Sequence, residues 1–479
     1  MASNVLFIHA DQHRYDVLGA HGHRLVRTPH LDRLAGEGVS FSHAFTPCAV
    51  CTPARASLMT GCWPSQHGCR TNPGAEAYRA ADAALPTWSR LLADAGYTLR
   101  WVGKYAGELA GPATDFGFDE HVKRMPGYGR WRAEQGLPPR RPSSGPFNLF
   151  GHVDAGEPEQ MPLAWEADHV IRQLREAAAS GRPWLVRWDP SEPHLPSLPP
   201  AAFAAMYDAA GVEPWPSFPD PLVSKPYIQR QQRMSWQVEG WDWSRWAPTV
   251  ALYLAEVSLL DAQVGRVLAA LDELGLADET LVVYTTDHGD MCGGHGMVDK
   301  HYVMYEDVQR VPLIMRGPGV PPGVRCDAFV SNEIDLATTL CAAAGVEVPA
   351  SFEGRDLLTV ASGEDASPRG DIFAQYHGGQ FGLYSQRMVR DRRYKYIWNM
   401  TAEDELYDLA SDPGELTNLA FEAGHADELA RLRGRLVAWM ESIDDPALNV
   451  WTRAQLLEGW VAGWVARPAG VEAVESKGQ

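Results

Sequence analysis

The sequence predicts an α/β fold, with a mainly parallel sheet sandwiched by helices and a smaller C-terminal α+β domain carrying a short antiparallel sheet. Three observations carry this reading. Short apolar runs alternate with longer stretches of helical periodicity through most of the chain, the pattern of parallel strands covered on both faces. Polar, reactive residues follow several of those runs directly. Near residue 366 the pattern shifts to closely spaced short strands and a closing amphipathic helix. Residues 1–365 are therefore read as the main domain and 366–479 as the smaller α+β subdomain.

The run Val5–Ala10 is the first strand. Thr28-Pro29 offers an N-cap and a first-turn proline to a helix stopped by Gly36 and Gly38. Thr52 and Pro53 offer the same start to a helix running to Gly61. Leu85-Pro86 opens a helix that ends at Gly96, and the strand Tyr97–Val102 follows. Trp184–Trp188, Leu281–Thr286 and Val311–Arg316 complete the apolar strands, and Ala247–Leu274 reads as a long helix ended by Gly275. Residues 124–163 and 189–247, rich in Pro, Gly and Trp, read as long loops, which in a compact domain tend to be functional. In the tail, Phe381–Met388, Met388–Asp391 and Tyr394–Trp398 read as short antiparallel strands and Ala426–Ile443 as the closing helix.

Of the 479 residues, 45% are hydrophobic, enough for a large core, and 42 Lys+Arg stand against 61 Asp+Glu for a formal charge of −19. That balance argues against nucleic acid or an anionic membrane as partner, yet allows a small anionic substrate in a locally positive pocket. No run reaches the roughly 18 uncharged apolar residues of a spanning helix; Ala247–Leu260 is interrupted by Glu256. The opening Met-Ala-Ser-Asn lacks a basic leader and cleavage site, and seven unevenly spaced cysteines do not resemble a disulfide framework. A reduced, cytoplasmic protein is expected. The Trp-rich segment (Trp215, Trp236, Trp241, Trp243, Trp246) fits an apolar or carbohydrate-stacking pocket, local core, or the subunit contact of a homo-oligomer.

Reactive residues cluster by position. Asp11-Gln12 follow the first strand, Gly103-Lys104 the second; a loop with His194 follows the third, and Asp287-His288-Gly289-Asp290 the fourth. Open α/β sheets bind ligands beyond the carboxyl ends of their strands. An Asp or His ending one strand is ordinary; four such ends together point to an active site. Asp11, Gln12, Asp287 and His288 offer mostly oxygen donors and one imidazole, a set suited to Ca²⁺, Mg²⁺ or Mn²⁺ rather than zinc. Without a cation, the two carboxylates are expected to repel, leaving one protonated. Cys51 falls at a helix N-terminus, where free amides favour negative charge, and Arg55 lies one turn on. Cys48 and Cys51 spell CxxC, but neither a second CxxC nor a thioredoxin-like βαβ setting accompanies them, which disfavours a redox or zinc role.

Cys51-Thr52-Pro53-Ala54-Arg55, continued by Ala-Ser-Leu-Met-Thr-Gly, resembles the Cys-x-Pro-x-Arg signature of the formylglycine-dependent sulfatases of the alkaline phosphatase superfamily. The resemblance spans almost the whole chain, through Asp11-Gln12, Gly103-Lys104, Pro193-His194-Leu195-Pro196, Asp287-His288-Gly289, His295-Gly296, Lys300 and Glu405-Leu406-Tyr407-Asp408-Leu409. It implies an alkaline-phosphatase-like fold. It also implies oxidation of Cys51 to Cα-formylglycine by a formylglycine-generating enzyme, the aldehyde hydrate being the nucleophile. One oxygen would attack sulfur or phosphorus and displace the alcohol, giving a covalent ester intermediate; loss of the remaining hydroxyl's proton would then collapse the hemiacetal, expelling sulfate or phosphate and restoring the aldehyde. Asp11, Gln12, Asp287, His288 and modified Cys51 would bind one divalent metal ion, Ca²⁺ before Mn²⁺ or Mg²⁺. Arg55 would help ionise the hydrate, Lys104 and Lys300 would grip the transferred group, and His194 or Lys300 would serve the leaving alcohol.

Two departures are informative. Gln12 stands where many members have a second aspartate, and Ala106 where many have a histidine touching the hydrate. Asn72, Gln12, His194 and Lys300 fit the phosphonate monoester hydrolase branch, in which the Asn72 position binds a substrate oxygen; Lys104 points back to sulfatases. The expected function is hydrolysis of small-molecule sulfate esters, with phosphonate monoesters or phosphodiesters as the alternative, alone or as a second activity. If Cys51 stays a thiol, a non-catalytic anion binder is the other reading. His21, His23 and His67 are read as structural or surface residues, His295 and His377 as further pocket candidates.

Overall fold

The computed structural model describes residues 4–75, 77–144, 148–365, 367–379 and 381–458. Its main sheet contains β1 (Asn4–Ala10), β2 (Val39–Phe45), β3 (Thr98–Gly103), β4 (Glu120–Val122), β5 (Trp184–Asp189), β6 (Thr280–Thr286), β7 (Leu313–Arg316) and β8 (Val324–Ser331). The strand order is β4-β3-β5-β1-β6-β7-β2-β8. Only β7 runs antiparallel to its neighbours, β6 and β2. The expected α/β class is therefore observed.

Strand alternation explains the sandwich. Val5 and Phe7 of β1 pack with Leu58, Trp88 and Leu336, from the helices Cys51–Thr60, Trp88–Asp94 and Asn332–Ala344. Leu6 and Ile8 pack on the other face with Leu34, Leu174 and Leu268, from the helices Pro29–Gly36, Pro162–Ala178 and Trp243–Glu273. A strand buried on both faces reads as an uninterrupted apolar run, which is why β1, β3, β5 and β6 were recognisable. The expected strand at Val311 starts only at Leu313, beyond Pro312, which has no N–H for the ladder. The helix expected from Pro86 starts at Trp88, with the Thr87 hydroxyl capping the Arg90 N–H at 3.4 Å. The long helix starts at Trp243, ahead of Ala247, because Asp242 caps it.

The stretches read as loops do contain short helices, Arg124–Glu134 and Tyr227–Ser235 among them. The tryptophans form local core: Trp246 is fully buried, and Trp236, Trp241 and Trp243 pack around it with Phe150 and Leu195.

The second sheet runs antiparallel in the order β12-β11-β10-β9, from β9 (Ile372–Tyr376), β10 (Gln386–Arg390), β11 (Tyr394–Asn399) and β12 (Glu405–Asp408). The strand expected from Phe381 starts only at Gln386, and β9 and β12 were not anticipated. One face holds Val389, Tyr396, Trp398 and Leu406 against Leu432, Leu436 and Met440 of the helix Ala426–Ser442. The other holds Met388, Ile397 and Tyr407 against Val50, Met291 and Met304, so the small sheet braces loops of the main domain. The boundary residue 366, the opening residues 1–3 and the tail from 459 lie outside the described residues. Among the described residues, no helix is long and apolar enough to cross a membrane.

Gly103 ends β3 at φ +104°, and a Cβ there would meet the Asp189 carbonyl oxygen at 2.2 Å. Gly96, at φ +91°, faces open space. Gly103→Ala should therefore cost about 3 kcal/mol of stability and Gly96→Ala about 1 kcal/mol, read from denaturation midpoints at constant slope. Equal shifts would refute the close approach.

Candidate active site

Because β3, β5, β1 and β6 are parallel neighbours, their carboxyl ends open on one edge, and the chain delivers Lys104, Asp189, Asp11 and Asp287 there. Beyond β1 the backbone turns sharply at Gln12, which holds a left-handed φ of +68°. Four hydrogen bonds fix it. Its N–H donates to Asp287 Oδ1 (3.2 Å) and its carbonyl accepts from the Tyr253 hydroxyl (2.8 Å). Its Nε2 donates to Asp290 Oδ2 (2.6 Å) and its Oε1 accepts from Lys300 Nζ (2.9 Å).

The helix bearing Cys51 begins two residues earlier than expected: Val50 is the extended residue before it and Cys51 the first helical one. Thr52 is not the cap. Its hydroxyl donates to the Ala106 carbonyl and its N–H to Asn72 Oδ1, both at 3.0 Å. Gly61, at φ +64°, ends the helix. Cys51 Sγ lies 3.2 Å from His288 Nε2 and 3.6 Å from Asp11 Oδ1. One donor atom each from Asp11, Cys51, Asp287 and His288, all buried, lie within 4.8 Å of one another. His288 Nδ1 contacts the Gly289 carbonyl at 2.8 Å, which fixes the ring and turns Nε2 toward this cluster. Such a cluster has the donors to hold a metal ion. Gln12 borders the cluster through its main chain, while its side-chain carbonyl is held by Lys300.

Arg55, fully buried, crosses beneath this cluster. Its guanidinium reaches Asp287 Oδ2 (2.8 Å), Asp11 Oδ2 (3.4 Å) and, in a short contact, Asp189. Lys104 pairs closely with Asp11 and keeps part of its side chain exposed. These cations overturn the expectation that one aspartate stays protonated. Burial opposes ionisation of both, yet Lys104, His194 and Arg55 hold Asp11 well below the usual carboxylate range, and Arg55 lowers Asp287. Burial and Asp11 also resist ionisation at position 51, but Lys104, Lys300 and His288 draw its thiol well below the ordinary range. For His288, burial lowers the pKa and Asp287 and Cys51 raise it, to about 9.

On the side away from Arg55, Lys300 Nζ donates to His194 Nε2 at 2.8 Å and pairs with Asp299 at 3.0 Å. His194 Nδ1 contacts the Leu195 carbonyl at 2.7 Å. Despite burial, Asp299, Cys51 and Asp11 hold Lys300 firmly cationic. Every expected site residue thus reaches this edge, Asn72 through the backbone of Thr52. His295 does not: it stacks on Tyr305 with centroids 3.8 Å apart and contacts Asp220 at 2.6 Å. His67, fully buried, contacts the Ser57 hydroxyl at 3.0 Å, as a structural residue would. The reading missed Asp189, which binds both Arg55 and Arg187. It directly follows the run Trp184–Trp188, so the strand-end criterion that selected Asp11 and Asp287 would have found it. Asp290, which anchors Gln12, lay in the strand-end run Asp287–Asp290 but was given no role of its own.

Removing Arg55 would leave three buried aspartates without their shared cation. Arg55→Ala should lower unfolding stability by about 3–5 kcal/mol, measured by chemical denaturation. A loss below about 1 kcal/mol would show that the carboxylates do not depend on it.

With this geometry established, comparison with known proteins is direct. The sulfatase family model matches residues 3–346, and a model described as the N-sulphoglucosamine sulphohydrolase C-terminal region matches 293–442. The chain is 31% identical to the uncharacterised sulfatase YidJ of Escherichia coli K12, over 97% of this chain and 93% of that one. It is 29% identical to a Δ4,5-hexuronate-2-O-sulfatase of Bacteroides thetaiotaomicron, over 90% and 88% respectively. Among solved structures, the phosphonate monoester hydrolase of Agrobacterium radiobacter superposes with a TM-score of 0.81 at 25% identity, covering 93% of this chain and 96% of that one. Signature, donor cluster and whole-length similarity agree: the chain belongs to the sulfatase family, within the alkaline phosphatase superfamily.

Proposed function

We propose that this sulfuric ester hydrolase is metal-dependent and uses Cys51, converted to Cα-formylglycine by a formylglycine-generating enzyme, as its nucleophile on small sulfate esters. The observation that carries the reading is Cys51 Sγ at 3.2 Å from His288 and 3.6 Å from Asp11, beside two lysines. Asp11, Asp287, His288 and the modified position 51 would hold the divalent cation, with Gln12 alongside. Ca²⁺ is the ion these oxygen donors favour, Mn²⁺ and Mg²⁺ the alternatives. When bound, it supplies positive charge against an oxyanion and helps ionise the hydrate.

The chain's own residues do the rest. Arg55 keeps Asp11 and Asp287 ionised and oriented, so the donor set is ready-made. Lys104 and Lys300, both cationic, bind the non-bridging oxygens, where charge develops during transfer. The Lys300–His194 pair faces the leaving side and delivers a proton to the departing alcohol oxygen. Asn72 orients the start of the catalytic helix through Thr52 and stands ready for a substrate oxygen. Ala106 has no side-chain base to offer, so another group must deprotonate the hemiacetal.

Phosphonate monoester or phosphodiester hydrolysis is the second reading, supported by Gln12, Asn72 and the structural likeness to a phosphonate monoester hydrolase. We further propose a cytoplasmic location, in keeping with the free cysteines.

Mass spectrometry of the tryptic peptide ending at Arg55 should show a deficit of about 18 Da at Cys51, from loss of H₂S and gain of oxygen. Cys51→Ala should lower kcat/KM for an aryl sulfate by at least about 10³-fold. An unmodified thiol in active enzyme would overturn the mechanism, and paired aryl sulfate and aryl phosphonate substrates decide between the two ester classes. Chelation should abolish turnover and lower the melting temperature, Ca²⁺ restoring both; an unchanged melting temperature on Ca²⁺ addition would refute the proposed site.

A further inference from the structure

The loop leading into Asn72 carries a cation that makes no close ion pair among the described residues. Arg70 is half-buried, and its Nε is buried with no hydrogen-bond acceptor. Among the described residues no carboxylate forms an ion pair with it. Thr71 beside it is fully buried and its hydroxyl also lacks a partner. This is unusual in a chain of charge −19, where Arg14, Arg55, Arg124 and Arg187 each bind carboxylates. Buried guanidinium and hydroxyl groups are rarely left unsatisfied, and a group that is so in the free protein is a candidate to meet a ligand.

The surroundings leave positive charge uncancelled. Arg387 approaches the same region, but Asp445 saturates it with contacts of 2.5 and 2.9 Å and also accepts from Gln375 Nε2 at 3.2 Å. Asp445 also attracts Arg70 at longer range, but one carboxylate cannot offset two guanidinium groups. His377, only 8% exposed, has a single long contact, Nε2 to Gln375 Oε1 at 3.4 Å. Burial, then the charges of Arg387, Arg70 and His67, hold His377 well below the ordinary histidine range, which places it in the same positive field.

The cluster adjoins the reaction centre from two directions. Asn72, two residues past Arg70, accepts the Thr52 N–H next to Cys51. Gly379, two residues past His377, is so close to His301 that a Cβ there would sit 2.4 Å from its Nδ1, and His301 follows Lys300.

We propose that Arg70, the Thr71 hydroxyl and His377 form a second anion subsite, which binds a carboxylate or second sulfate on the leaving alcohol. The inference rests on the sulfate-ester reading and deepens it: the preferred substrate is the ester of an alcohol that is itself anionic. Arg70 supplies a planar pair of donors suited to a carboxylate or sulfate, Thr71 a third donor, and His377 a buried ring nitrogen.

The test compares aryl sulfates carrying a ring carboxylate, a ring carboxamide of nearly the same shape, or a second sulfate. The parent enzyme should prefer the carboxylated or disulfated ester over the carboxamide by about tenfold or more in kcat/KM. Arg70→Met should erase most of that ratio, chiefly through KM, and Arg70→Lys should retain part of it. Absence of the preference in the parent, or its survival in Arg70→Met, overturns the proposal. A binding arm separates this from failure of the parent reading. Non-hydrolysable 3-sulfobenzoate should bind the parent more tightly than benzenesulfonate, and Arg70→Met should remove the difference even if no sulfate ester is turned over. Equal affinities in the parent would sink the subsite by themselves.

Discussion

The site depends on one buried guanidinium. Three aspartates, Asp189, Asp11 and Asp287, end the adjacent parallel strands β5, β1 and β6, and all are fully buried. Close together in a dry interior they would repel strongly, or protonate and lose their value as ligands. Arg55 reaches all three from the helix that also carries Cys51. A single side chain therefore fixes the helix to the sheet, keeps the carboxylates charged and sets the spacing between Cys51 and the other donors of the cluster. Lysine could not do the same, because the arrangement uses several N–H groups diverging from one plane.

Around that centre, charge is sorted by depth. The acidic groups lie inward, where a cation would be bound, and Lys104 and Lys300 lie where a transferred oxyanion would rest. Lys300 is held in place by Asp299 at 3.0 Å and Gln12 at 2.9 Å, so it offers charge without freedom to move. The chain as a whole carries −19, which opposes anionic substrates at long range. In physiological salt that repulsion is screened beyond about 8 Å, so recognition is decided by these few short-range cations.

Much of this was legible in the sequence, and the rest was hidden for identifiable reasons. Strands buried on both faces announce themselves as apolar runs, and the residues just past them fall at the ligand-binding edge by topology alone. That logic found Asp11, Lys104, Asp287 and His288. It missed β2, where Ser40, Ser42 and His43 interrupt the apolar residues, and β8, whose first half, Val324-Arg325, is exposed at the sheet edge. The helix start was misjudged because Thr52 has the chemistry of a cap but spends its hydroxyl on Ala106. Protonation could not be foreseen, since Arg55 meets Asp189 and Asp287 only across 134 and 232 residues of chain.

The two departures from the family pattern follow from the same network. At position 12 the side chain must donate to one group and accept from another: Asp290 Oδ2 is an acceptor and Lys300 Nζ a donor. An amide meets both demands, whereas an aspartate would set its carboxylate against that of Asp290. Asp290 cannot move aside, because its other oxygen accepts the N–H groups of Cys292 (2.7 Å) and Asp299 (3.2 Å). Glutamine thus suits this scaffold, and the negative charge at this edge is carried by Asp290, one layer further out. Ala106 is explained similarly. Its N–H donates to Glu108 at 2.8 Å and its carbonyl accepts from Thr52 at 3.0 Å, so the backbone at 106 supports the start of the Cys51 helix whatever its side chain. Position 106 therefore serves the backbone here, and among the groups gathered around Cys51 the lysines are held cationic.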